Sequence, residues 1–235
     1  MTRIKSLFAA MLLLASIAVL STSCELADNV QPDDESETFT DPRDGQEYNI
    51  VTIGTQTWFA ENLNYTTGIE NITSDSEWES MFGGSFTIEH QERAAWCYYD
   101  NNKANGAIYG ALYTHAGALL ACPAGWHLPT EAEWIQLTEY LGGQAGAGGR
   151  MKEVGETHWL TPNHSANNSS GFSGLPGGRR SYSPGSFREI GEKAYFWSKE
   201  GTATPHCMEL LYDYCNTGES HWFMSSGMSV RCVKD

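Results

Sequence analysis

Six cysteines, seven histidines and twenty-nine carboxylates are the side chains of this 235-residue chain with the widest chemical repertoire. The histidines, His90, His115, His127, His158, His164, His206 and His221, show no metal-finger spacing. His206-Cys207 with Cys215 offers three N/S ligands, whereas a structural zinc takes four. No Gly-x-Ser-x-Gly elbow is present to raise a nucleophilic serine. The stretch from Gly142 to Gly149 is glycine-rich, but it spells neither a dinucleotide fingerprint nor a phosphate loop with its Lys-Ser/Thr. It reads instead as a loop after a helix. Glu131 and Glu133 resemble a carboxylate pair for acid–base work, yet a place at a helix N-terminus accounts for both more simply. These residues predict no catalytic site, no metal and no cofactor.

Composition narrows the class further. Twenty-nine acidic against fourteen basic side chains leave a net charge of −15, so nucleic acid would be repelled and is not an expected partner. Only 18% of residues are charged while 12% are aromatic, the reverse of a disordered chain. The N-terminus reads as a targeting segment: Arg3 and Lys5 precede an apolar run from Leu7 to Leu20, shorter than a comfortable membrane span. Ser21-Thr22-Ser23-Cys24 then resembles a lax lipobox, which makes 1–23 a lipoprotein signal peptide and Cys24 the lipidated residue. The other reading is ordinary signal cleavage, with Cys24 a stray thiol. Residues 24–40 carry Glu25, Asp28, Asp33, Asp34, Glu35 and Glu37 with no basic partner, and are expected to form a flexible acidic tether. Lipid on Cys24 would anchor the protein in the outer membrane, and acidic residues after such a cysteine resemble Bacteroidetes surface-export signals.

The elements that would hold a site begin near Asp41. Tyr48 to Ile53 is a β-rich run, Gly54-Thr55 fits a type II′ turn, and Gln56 to Phe59 is the return strand. Residues 66–92 lack a clean period and read as a decorated insertion, and Trp96 to Tyr99 is a short aromatic strand. The strongest helix signal follows Pro129. Thr130 caps it, Glu133 completes a capping box, Trp134, Leu137, Tyr140 and Leu141 form its apolar face, and Gly142-Gly143 ends it. A second helix is expected through His115 to Leu120. Beyond Gly142 the composition favours short strands and long loops.

These segments also carry a resemblance. Asp41-Pro-Arg-Asp-Gly-Gln-Glu-Tyr48, Ile53-Gly-Thr-Gln-Thr-Trp58 and Glu61-Asn-Leu63 open it; Tyr109-Gly-Ala-Leu-Tyr-Thr114, Cys122-Pro-Ala-Gly-Trp-His-Leu-Pro-Thr130 and Phe172-Ser-Gly-Leu-Pro-Gly177 continue it. Phe196-Trp-Ser198 and Ser229-Val-Arg-Cys-Val-Lys-Asp235 close it. Over 41–235 the chain resembles the Fibrobacter succinogenes major paralogous domain of secreted and lipoprotein chains. The Leu128–Trp134 segment is also similar to the formylglycine-generating enzymes, whose fold is related to C-type lectins. The resemblance implies an α+β domain of lectin-like type, with short strands, long loops and one or two helices.

Further expectations rest on that resemblance. Family members often carry a cysteine shortly before the Tyr-Gly-x-Leu-Tyr segment; here Asn105 to Tyr109 holds none, so Cys97 is expected to be unpaired or re-partnered. Setting Cys24 aside leaves five cysteines, an odd number for an oxidising compartment. The pairings considered are a local Cys207–Cys215 staple and a Cys122–Cys232 bond tying the ends together as in C-type lectins. The alternative is a set of buried, inert thiols. Lectin-like folds place long loops in their second half, which makes Tyr182, Tyr212, Tyr214 and Trp222 the candidate ligand-binding aromatics. Trp58, Trp126, Trp134 and Trp197 are expected in the core. The Glu-Pro-Asn or Gln-Pro-Asp triplet of calcium-dependent sugar binding is missing from 41–235, since Gln31-Pro32-Asp33 lies in the tether. The resulting expectation is a non-enzymatic surface module for a glycan, peptide or partner protein. A structural component of fimbriae or matrix is the alternative, and a formylglycine-type enzyme using Cys207 and Cys215 is a lesser one.

Overall fold

A computed structural model describes residues 37–81, 93–201 and 204–235. The signal segment and Cys24 lie outside the described residues, as do His90 and the rest of the 82–92 part of the insertion. Thirteen short strands and five α-helices make up the described chain, an α+β fold built from several small sheets.

The largest sheet has the order β1-β2-β3-β13-β7, formed by Glu37–Thr40, Glu47–Ile53, Gln56–Phe59, Val233–Lys234 and Trp126–His127. All of its pairings are antiparallel. β1 takes the last four residues of the segment read as a tether, because Phe39 packs on Phe59 and Trp126 and draws the strand onto the sheet. The β2–β3 hairpin turns at Gly54, whose φ of +64° with no positive φ at Thr55 fits the expected type II′ turn. The C-terminal strand β13 inserts between β3 and β7, with Val233 opposite both Trp58 and His127.

A second sheet, β10-β11-β12, comprises Lys193–Trp197, His206–Leu211 and Thr217–His221. Its faces belong to two different apolar clusters. Tyr195, Trp197 and Cys207 face one with Tyr48, Phe59, Trp126 and Val230; Ala194, Phe196, Met208 and Leu210 face the other with Trp58, Trp134 and Phe172. Burial on both faces explains the uninterrupted run Ala194-Tyr-Phe-Trp197, which shows no strand alternation. Trp58, Trp126, Trp134 and Trp197 are all buried, as expected.

A third cluster, around Ile72, Trp78 and Cys97, fills the space beneath α1 (Asp75–Ser80) and the small sheet of β4 (Glu70–Asn71), β5 (Ala95–Cys97) and β6 (Leu112–Tyr113). The hairpin of β8 (Arg179–Arg180) and β9 (Phe187–Arg188) lies against it through Phe187. Helices α2 (Lys103–Tyr109) and α3 (His115–Ala121) flank β6, and α3 bears out the second expected helix.

The capped helix α4 spans Glu131–Tyr140, with both arms of the capping box made. Trp134, Leu137 and Leu141 are fully buried, and the Trp134 ring sits 4.7 Å from that of Trp58. Tyr140 departs from the expected face and is exposed. At 3.6 residues per turn Leu141 falls about 20° from Trp134, whereas Tyr140 lies about 120° round the helix. The larger correction follows Gly143. Gln144–Met151, read as a glycine loop, is helix α5. Its glycines serve close packing: a Cβ on Gly148 would lie 2.3 Å from the Asn216 carbonyl oxygen, so only glycine lets the two backbones touch.

Cys122 and Cys232 are disulfide-bonded, with Cα atoms 5.9 Å apart. The Cys207–Cys215 staple is not formed, because Cys207 is a free, buried thiol. Cys207 points into the core toward the Met228 sulfur, 3.4 Å away. β11 continues four residues past it before the turn that carries Cys215, on the order of 13 Å of extended chain. Cys97 is likewise free and buried, which matches its missing family partner.

Candidate functional site

Four of the segments that carry the family resemblance converge on one cavity of about 310 Å³. Glu61 and Asn62 enter from the chain after β3, Gly110 from the end of α2, and Ser173 and Leu175 from the loop after Phe172. Glu153, just beyond α5, forms another wall, and Gln46 and Asn64 complete the polar lining.

Beneath the floor a buried arginine ties the Glu61–Leu63 and Phe172–Gly177 segments together. Arg231 Nε donates to Asn62 Oδ1 at 2.8 Å, its Nη1 to the Phe59 and Phe172 carbonyls, and its Nη2 to the Ser173 carbonyl at 2.9 Å. Among the described residues no carboxylate accepts from it. Burial presses its pKa down to about 9, which leaves the guanidinium charged at neutral pH and solvated by main-chain oxygens. The faces of Phe172 and Phe196 add cation–π contacts at 4.5 and 5.5 Å. Asn62 passes the restraint onward, since its Nδ2 donates to the Tyr109 carbonyl at 2.8 Å. This network makes the cavity walls rigid although they are loops.

The mouth carries two half-buried carboxylates whose orientation is set by neighbours. Asn49 Nδ2 donates to Glu61, and His158 Nδ1 lies 2.8 Å from Glu153 Oε2. Asn64 Oδ1 is buried with no hydrogen-bond partner, while the Asn64 N–H donates to the Tyr48 hydroxyl at 3.1 Å. Among the described residues no lysine, arginine or aromatic ring lines the cavity.

The four candidate aromatics lie elsewhere and fall into two groups. Trp222 is half-buried under the Arg179 guanidinium at 4.1 Å, and the Tyr182 ring packs on Phe223 at 4.4 Å. Tyr212 and Tyr214 precede β12 whereas Trp222 follows it, so a five-residue strand separates them by roughly 17 Å. Tyr212 packs against the second cluster, and Tyr214 is exposed. The carbonyls of Tyr214, Leu211 and His164 accept from Lys152 Nζ at 2.8, 2.8 and 3.1 Å, a second buried cation held by main-chain oxygens.

Neither buried cation was anticipated from sequence. A lone Lys or Arg in a polar stretch reads as surface, and the oxygens it meets come from segments far apart in the chain. The acidic pair is what its position suggested: Glu133 accepts from the Thr130 N–H and Oγ1 at 2.7 and 2.8 Å. His127 bridges Glu133 and Asp235, holding the last residue against the start of α4. Among the described residues no three His, Cys, Asp or Glu side chains are placed to hold a metal ion. His206 Nδ1 is engaged with Ser198 Oγ at 2.6 Å. Burial pushes the Cys207 thiol well above its usual pKa, which disfavours the thiolate that nucleophilic chemistry needs. No described helix is long and apolar enough to cross a membrane.

No curated protein and no solved structure matches the chain. The family model of the Fibrobacter succinogenes major domain matches residues 51–234, which takes in every cavity-lining segment except Gln46, and the chain belongs to that family.

Proposed function

We propose that this protein is a non-enzymatic lipoprotein of the outer membrane, exposed at the cell surface, whose folded part is a binding or adhesion module for a glycan, peptide or partner protein. The observation that carries the reading is the polar cavity: an open site of about 310 Å³, on loops stiffened from below by Arg231. Ligand sites of this size are characteristically preformed, with a few polar groups fixed by their surroundings. The buried, free Cys207 argues against thiol chemistry of the formylglycine-generating type.

A lectin-like scaffold is part of the same proposal. It is supported by β13 returning between β3 and β7 and by the Cys122–Cys232 bond, which joins the start of the second half of the chain to its end.

Glycan and peptide arrays probed with the full-length protein test the module reading, and selective retention of one ligand class is the expected result. Uniform absence of binding across both arrays would leave a structural component as the better account. Anchoring is tested separately by radioactive fatty-acid labelling of cells. Label is expected on the wild type and lost in Cys24→Ser; equal label on both would remove the lipoprotein assignment.

A further inference from the structure

The cavity's chemistry is one-sided. Among the described residues Glu61 and Glu153 are its only ionisable lining groups, and both are carboxylic side chains. Arg231 contributes no competing site for an anion, because its N–H groups are turned to the Asn62 amide and the carbonyls of Phe59, Phe172 and Ser173. An anionic ligand would meet two carboxylates and no lining cation. A sugar would find no aromatic face to stack on, which weakens the glycan option at this site.

A cation on an aliphatic stem meets complementary groups throughout. Two carboxylates, Glu61 and Glu153, line the cavity as acceptors, and an alkylammonium carries three N–H donors. Leu175 and Ile108 line the cavity, Ile108 is 45% exposed, and Val154, next to Glu153 in sequence, is 57% exposed. These apolar surfaces at the rim suit a methylene chain, which buries its stem while its charged head stays hydrogen-bonded. The net charge of −15 adds a long-range field that draws basic partners in.

We propose that this cavity is a receptor site for a primary alkylammonium, with the lysine side chain of a partner polypeptide as its occupant, held between Glu61 and Glu153. The inference rests on the binding-module reading and assigns that module its ligand chemistry.

The test is a calorimetric titration of the full-length protein with Nα-acetyl-lysine methylamide. Its uncharged norleucine counterpart, its Nε-acetylated form, and cadaverine as a free diamine serve as comparison probes. The lysine derivative is expected to bind at least tenfold more tightly than the norleucine and Nε-acetyl probes. Binding is expected to weaken with added salt and to fall at least tenfold in Glu153→Gln and in Glu61→Gln. Thermal midpoints of both variants report folding, and the two substitutions sit on separate walls, so loss in both is not one local defect. Cadaverine binding without binding of the lysine derivative would support the ammonium site and make its source a free amine. Equal affinity for the norleucine probe, or lysine binding unchanged in both variants, would overturn the proposal. An array ligand whose retention survives both substitutions would also overturn it while leaving the module reading intact; silence from arrays and probes alike would remove both.

Discussion

Lys152 has a fully buried side chain, three carbonyl oxygens around its ammonium and, among the described residues, no carboxylate at hydrogen-bond distance. Burial lowers its pKa from 10.5 to about 8 against the weaker pull of Asp213. Between those values the unfolded chain keeps a proton that the folded protein has released. Lys152 therefore contributes stability that rises with pH from about 8 to about 10.5. The buried tyrosines Tyr113 and Tyr195, whose pKa values burial raises above 10, act in the opposite direction above pH 10. The difference between wild type and Lys152→Met isolates the lysine. At pH 7 the variant leaves three carbonyls without a donor and is expected to lose roughly 2–4 kcal/mol. Between pH 8 and 10.5 the wild type should gain on the variant. Urea unfolding across that range checks both statements, and parallel pH curves would refute the second.

At the scale of elements, α4 and α5 respond in opposite ways to the usual rules. Burial raises the Glu133 pKa, but hydrogen bonds from the Thr130 backbone and hydroxyl, and the His127 ring, together bring it below the usual 4.5. A carboxylate depressed in the folded state gives stability that is present above pH 4.5 and lost as pH falls through its folded value. Glu133→Gln should cost about 1 kcal/mol at pH 7 and flatten the acid limb of the stability curve, as chemical denaturation at pH 3 to 7 would reveal. In α5, Gly→Ala is ordinarily stabilising by about 0.5–1 kcal/mol. Gly148→Ala should reverse that sign, because its new methyl would lie 2.3 Å from the Asn216 carbonyl oxygen and drive α5 off the turn before β12. A lowered thermal midpoint is the expected reading; a raised one would mean the contact yields easily.

At the scale of the whole molecule, the Cys122–Cys232 bond and the paired strand β13 close the fold. The Cys122–Cys232 bond spans 110 residues, and loop closure of that length restricts the unfolded chain by about 4–5 kcal/mol. The double substitution Cys122→Ser/Cys232→Ser should lower stability by that order while leaving the α+β spectrum intact, since β13 remains paired on both sides. Peptide mapping without reduction should recover Cys122 linked to Cys232, with Cys97 and Cys207 alkylated only after unfolding. A Cys97–Cys122 linkage would contradict the closure. Such a clamp helps explain how a chain with strands as short as two residues holds long loops in place.

Local chemistry sufficed wherever neighbours in sequence make the structure. The II′ turn at Gly54, the Thr130–Glu133 capping box and the buried face of Trp134, Leu137 and Leu141 were all legible because each depends on residues within a turn or two. The family was legible because its motifs are ordered along the chain. Tertiary contact overrode local reading in two places. The glycines of α5 looked like a loop, yet they are helix, and they are glycine where the backbones of Asn216 and Ser165 pack directly against Gly148 and Gly149. Cys207 and Cys215 looked adjacent, yet an extended strand separates them and the core claims the first. The cavity itself was invisible in sequence. Its walls come from positions near 61, 110, 153 and 173, and those near 61 and 173 are joined by Arg231, whose hydrogen-bond partners at Asn62 and Phe59 lie 169 and 172 residues away. Periodicity and turn chemistry act over a few residues, so they set the elements of this protein. Which carbonyls meet a buried cation, and which carboxylates face a common space, is decided only when the chain closes on itself.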